Sequence, residues 1–212
     1  MDIPVKDRVA GQQAGAQSGQ PGSTSASASG GGTATQPGGG FLSDIATLRE
    51  RARRHIEDGA VTENYGADRE TVLKLLNEAL ATELVCVLRY RRHHFMAKGI
   101  HAESVSSEFK VHADEEQAHA DRIAARIVQL GGEPDFSPDG LSARSHSQYV
   151  EAGSLEEMIK ENLVAERIAI ESYREMVQYL GDRDPTTRRM LEEILAVEEE
   201  HADELADMLA EG

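Results

Sequence analysis

Tryptophan is absent from this 212-residue chain, aromatic residues make up only 4% of it, and Cys86 is the single cysteine. One cysteine excludes an internal disulfide, a four-cysteine zinc site and a rubredoxin-type iron site. No apolar run approaches the ~20 residues that span a bilayer, and the N-terminus lacks the apolar core of a secretory signal. A cytoplasmic location and no membrane partner are therefore expected. Basic side chains are outnumbered, 22 against 38 acidic ones, for a formal net charge of -16. That balance repels nucleic acid and attracts cations, so DNA is not an expected partner. Few aromatics, with abundant Ala, Glu and Leu, favour helices over strands.

Residues 1–40 hold 10 of the 19 glycines, and their only charged side chains are Asp2, Lys6, Asp7 and Arg8. Such a segment buries too little apolar surface to offset its ordering entropy, and it reads as a disordered tail. Residues 41–67 read as a short amphipathic helix, capped by Ser43 and stopped by Gly59, followed by a linker. Residues 68–212 carry four long helical patterns. The first spans about 68–98, with Leu73, Leu76, Leu80, Leu84, Val87 and Tyr90 on one face. The second spans about 102–130, with Val105, Phe109, Ile123, Ile127 and Leu130. The third opens at the Ser154–Glu157 capping box and carries Leu155, Ile159, Leu163, Ile170, Tyr173 and Val177 inward. The fourth opens at Asp184–Pro185 and carries Leu191, Ile194, Leu195, Leu205 and Met208. The first and last links are short and the middle one is long. This predicts an all-α four-helix bundle with one long crossover.

The apolar stripes contain residues foreign to an ordinary core. Glu83, Glu116, Glu166 and Glu198 fall on the inward faces, one per helix, and His119 and His201 follow two of them at i+3. Ionised carboxylates in a core are strongly disfavoured unless cations hold them. Two divalent ions would balance four glutamates and two neutral imidazoles. One Glu from each of two helices and one Glu-x-x-His from each of the other two is the donor set of a carboxylate-bridged di-metal site. The chain also repeats itself. EQAHAD at 116–121 matches EEEHAD at 198–203, and ATELVCVLRY at 81–90 matches VAERIAIESY at 164–173, with Tyr seven residues after Glu in both. Glu83 precedes Glu116 by 33 residues and Glu166 precedes Glu198 by 32.

On LNEALATELVCVLRY, HADEEQAHADRIA, LVAERIA and EILAVEEEHADEL, the segment from about Asp68 to Met208 resembles the bacterioferritin and Dps-like branch of the ferritin-like superfamily. The resemblance implies a ferroxidase with two iron ions per subunit. It implies Glu83 and His119 on one iron, Glu166 and His201 on the other, and Glu116 and Glu198 as bridges. It makes Tyr90 the core tyrosine beside that centre, an electron donor or hydrogen-bond partner. It implies Fe(II) and either O2 or H2O2 as reactants, and iron storage with protection from oxidative damage as the outcome. Bacterioferritin binds haem through a Met directly after the helix-B bridging Glu; Gln117 stands there, and no haem is expected. The sequence stops too soon for the fifth helix of 24-subunit cages, so a homo-oligomeric cage of twelve is expected. Alternatives are a manganese catalase-type enzyme on a similar ligand set, with manganese in place of iron, and a DNA-protecting Dps-type protein.

Other candidates have plainer readings. Glu115 can cap His119 at i+4 on the surface, and Glu199 and Glu200 form a solvated face. Tyr173 reads as a core tyrosine and Cys86 as a small core residue. His112 lies on the second stripe, two turns from His119; it reads as a histidine near the bundle end, with an extra ligand or an iron entry residue as the alternative. His55, His93, His94, His101 and His146 follow no pattern.

Overall fold

A computed structural model of the chain describes residues 43–100 and 102–210. The expected tail over 1–40, and His101, lie outside the described residues. Among those residues the regular structure is entirely helical. Helix α1 (Ile45–Arg51) is followed by a 3-10 turn at Ile56–Asp58. Four long helices then form the bundle: α2 (Arg69–Met96), α3 (Ala102–Gln129), α5 (Leu155–Leu180) and α6 (Pro185–Ala210). Helix α2 packs on α3 and α5 on α6, and the two hairpins meet along α2–α5 and α3–α6.

Local chemistry fixes the ends. The Asp68 carboxylate accepts from Thr71 N at 2.8 Å and starts α2. Both halves of the capping box between Ser154 and Glu157 are made at the start of α5. Asp184 accepts from Thr187 N at 2.9 Å ahead of Pro185, the first residue of α6. Helix α3 ends in a Schellman motif. Gly131 N donates to Val128 O and Gly132 N to Ile127 O, both at 2.9 Å. Gly131 sits at φ +75°, where a Cβ is strained. A Cβ on Gly132 would lie 2.5 Å from Leu73 Cδ2.

The crossover lies along α2 from one end to the other. Asn77 Oδ1 accepts from Asp135 N at 2.8 Å and Thr82 Oγ1 from His146 N at 2.9 Å. Further along, buried Arg89 donates to Gln148 O at 2.9 Å, and buried His93 lies 3.1 Å from Val150 O. Four attachments along α2, at Asn77, Thr82, Arg89 and His93, carry the chain back to the start of α5. A short helix, α4 (Leu141–Arg144), sits within this stretch and was not expected from the sequence.

The core has two apolar clusters. One holds Leu76, Leu80, Ile123, Ile127, Tyr173, Leu191 and Ile194. The other holds Cys86, Tyr90, Phe109, Ile159 and Leu205. Each fully buried Leu or Ile stabilises the fold by roughly 1.5–3 kcal/mol. The predicted stripe residues Leu73, Leu84, Leu155, Leu163, Val177, Leu195 and Met208 are only half-buried, at the margins of these clusters.

Three expectations need correction. The segment expected as one helix ending at Gly59 breaks after Arg51, and its cap is Asp44, not Ser43. Helix α1 buries no residue, and His55 takes the left-handed conformation at φ 49°. Seven residues without burial cannot offset the cost of helix nucleation over a longer run. The first long helix ends at Met96, three residues before Gly99. His93, expected to follow no pattern, is buried between Val150 O and Asn162 Oδ1.

Candidate metal centre

Between the two apolar clusters the bundle is lined by charge. Helix α2 supplies Glu83, α5 supplies Glu166, α3 supplies Glu116 and His119, and α6 supplies Glu198 and His201. All six are buried, the most accessible being His119 at 5%. The 3.6-residue period places each Glu one turn from its i+3 His, so both project inward.

The six fall into two overlapping groups. Glu83, Glu116, His119 and Glu198 form one; Glu116, Glu166, Glu198 and His201 form the other. Within each, the potential ligand atoms lie within 4.8 Å of one another, and Glu116 and Glu198 belong to both. His119 Nδ1 lies 2.9 Å from Glu198 Oε1, 3.4 Å from Glu83 Oε2 and 3.5 Å from Glu116 Oε2. His201 Nδ1 lies 3.7 Å from Glu198 Oε2 and 3.8 Å from Glu116 Oε1. Among the described residues, ten buried side-chain polar atoms lack an aligned hydrogen-bond partner, and seven belong to these six residues. Orphaned donors and acceptors are rare in folded proteins. Seven of them, carboxylate oxygens and imidazole nitrogens converging on one chamber, make a donor set that fits metal cations.

An outer layer orients the inner one. Tyr90 O–H donates to Glu166 Oε1, and Tyr173 O–H donates to Glu83 Oε1. Each tyrosine follows one glutamate by seven residues and serves the glutamate of the other hairpin. His201 Nε2 lies 2.8 Å from Glu115 Oε2. With the hydrogen on Nε2, the lone pair of Nδ1 points into the chamber, as a metal-binding histidine requires. His112 stacks on His201 with centroids 4.0 Å apart at 20°.

The electrostatics follow from crowding. Burial, then the neighbouring carboxylates, pushes Glu116 well above the usual carboxylate range, and Glu166 rises likewise from burial and the Glu198 charge. Burial would raise Glu198 too, but the His119 and His201 rings outweigh it and hold Glu198 down to about 2. Burial would lower both imidazoles. The carboxylates outweigh it and raise His119 to about 10 and His201 to about 9. Taken alone, the protein groups balance their charge by holding protons. Burial, then the Glu166 charge, raises the Tyr90 hydroxyl; burial, then Glu83, raises that of Tyr173.

All seven predicted site residues, Tyr90 included, meet here. Three neighbours differ from expectation. Tyr173 is no plain core tyrosine; the Glu-to-Tyr spacing shared by both halves carried that signal. Glu115 reaches His201 on α6, not His119 on its own helix, because its register faces α6. His112 lies beside the chamber and not at a bundle end, four residues and one turn from Glu116. Cys86 is buried as expected, and burial pushes its thiol up to about 12. Glu199 and Glu200 are exposed.

A model of the ferritin-like domain matches residues 73–212. The chain is 33% identical over 140 residues to a nutrient stress-induced DNA-binding protein of a Synechococcus species, covering 64% of this chain and 78% of that one. It is 31% identical over 140 residues to a bacterioferritin of Mycobacterium leprae, covering 66% and 84%. The solved structure of a bacterioferritin-related protein of Bacteroides fragilis, described as a dodecameric thioferritin, superposes with a TM-score of 0.67 at 31% identity, covering 69% and 88%.

Proposed function

Because the chain belongs to the ferritin-like domain family, we propose that it is a ferroxidase, oxidising Fe(II) to Fe(III) at an intrasubunit site for iron storage and protection from oxidative damage. The observation that carries this reading is the set of seven orphaned, buried donor atoms on six residues. Glu83 and His119 hold one ferrous ion, Glu166 and His201 the other, and Glu116 and Glu198 touch both. Four carboxylates neutralise two divalent charges, which a dry core requires. Tyr90 and Tyr173 fix the carboxylate orientations, and Glu115 fixes the His201 tautomer. The two ferrous ions give up one electron each. With two protons these electrons reduce O2 to H2O2, or H2O2 to two waters.

Carboxylate and imidazole donors also suit manganese. Metal analysis of protein grown with both metals decides between a ferroxidase and a catalase-type enzyme. Haem plays no part in this reading, since Gln117 stands where the resemblance would place the haem-ligating Met. The relative named for DNA binding supports a second reading, DNA protection. The net charge of -16 opposes it, and a gel shift at low salt tests it. A cage of twelve subunits is supported by the dodecameric relative. The central test is stopped-flow oxidation of Fe(II) by O2 and by H2O2. Glu116→Ala and Glu198→Ala should each abolish the fast phase; wild-type rates in both variants would overturn the assignment.

A further inference from the structure

Beside the chamber lies a second convergence of ligand atoms. Glu108 and His112, one turn apart on α3, and Glu204 on α6 bring ligand atoms within 4.8 Å of one another. His112 Nε2 is 2.9 Å from Glu204 Oε2 and 3.6 Å from Glu108 Oε1. The imidazole is buried, while the Glu108 and Glu204 side chains are 34% and 44% exposed. The group is therefore closed on its inner side and wet on its outer side.

The hydrogen bonds of Tyr90 decide which ring nitrogen is the acceptor. With Glu166 ionised, as the di-metal reading has it, Tyr90 spends its hydroxyl hydrogen on Glu166 Oε1. Its oxygen can then only accept from His112 Nδ1, 3.2 Å away. A hydrogen on Nδ1 satisfies that contact and leaves Nε2 of the neutral ring with its lone pair. That lone pair faces two carboxylates. Three acceptors meeting at one point, one of them fully buried, call for a cation between them. One imidazole and two carboxylates suit a divalent first-row transition ion, and the exposed side leaves coordination positions for water. A second proton on the ring would meet the same contacts, so the test must separate proton from metal.

We propose that Glu108, His112 and Glu204 form a third cation site for a divalent first-row transition ion, open to solvent and joined to the inner chamber through the stacked rings of His112 and His201. It extends the di-metal reading, which assigns the six inner residues and leaves these three without a role. Its ligands are separate from the inner six, so the two can fail separately.

The test is anomalous diffraction at the cobalt edge from crystals of the full chain soaked in Co(II), which resists oxidation by air. Wild-type protein should show two inner peaks and one among Glu108, His112 and Glu204. The double variant Glu108→Gln with Glu204→Gln should lose the outer peak and keep the inner pair. Both changes preserve shape at partly exposed positions, and the retained inner peaks report that the bundle is intact. Inner peaks without an outer one overturn the third site and leave the di-metal reading standing. An outer peak without inner ones supports the third site and overturns the di-metal reading. An outer peak that survives the double substitution overturns the assignment to these carboxylates.

Discussion

Glu198 and the two imidazoles facing it are held far from their ordinary values, Glu198 downward and the rings upward. His119 and His201 are raised to about 10 and 9, and Glu116 and Glu166 are raised as well. All four must surrender protons to bind metal, so loading at pH 7 should release protons, and affinity should rise with pH. A pH-stat titration with Zn(II) measures both. For the metal-free protein the sign is opposite. A raised imidazole contributes stability that is full below its ordinary value of 6.5 and is lost as pH climbs through 9 to 10. The raised carboxyls act in the same direction from lower pH. Glu198 opposes them only in acid, its contribution being lost as pH falls through about 2. Thermal melts should therefore show the metal-free form weakening between pH 6.5 and 10, with the metal-loaded form resisting the change. Glu115→Ala isolates the outer layer. It should lower metal affinity or oxidation rate by about 10- to 100-fold with no change in fold, because it removes only the group that fixes the His201 tautomer. Competition with a metal indicator measures the affinity arm.

At the level of elements, the helix pairing depends on a few buried polar ties. Arg126 near the end of α3 donates to both Asp184 oxygens, at 3.0 and 3.1 Å, and to Thr187 Oγ1 at 2.8 Å. Asp184 also caps α6 and accepts from Tyr65 at 2.8 Å. Asp184→Ala should destabilise the protein by about 3–5 kcal/mol, because it strands a buried guanidinium and removes the cap. Urea unfolding checks this, and Asp184→Asn should cost less because it keeps the capping oxygen. Helix positions were legible in the sequence because the period, the capping box and Pro185 are local signals. The six inner residues were legible because polar side chains on an apolar stripe violate its pattern. The cross-helix partners were not. That Glu115 reaches His201, or Arg89 the Asn162 side chain, depends on how α3 meets α6 and α2 meets α5. Spacing along one helix carries no such register. The break after Arg51 was hidden for the opposite reason: the amphipathic pattern was present, but no neighbour buries it.

At the scale of the molecule, several large apolar side chains of the described residues remain on the surface. Leu88, Phe95, Val111 and Val164 stand exposed on the bundle helices, with Phe95 at 76%. Scattered exposed apolar residues are ordinary and do not by themselves mark an interface. Light scattering of the purified chain should give a closed oligomer near twelve subunits; a monomer or dimer at micromolar concentration would rule out the cage. The missing tryptophan has an optical consequence. Of five tyrosines in the chain, Tyr90 and Tyr173 donate to central carboxylates. A phenol bonded to a carboxylate emits weakly, since the carboxylate draws its proton in the excited state. A cation on the other oxygen of each carboxylate changes that quenching, and an open-shell ion such as Fe(II) adds its own. Near-ultraviolet emission is therefore a built-in gauge of how full the chamber is, with no indole signal to mask it.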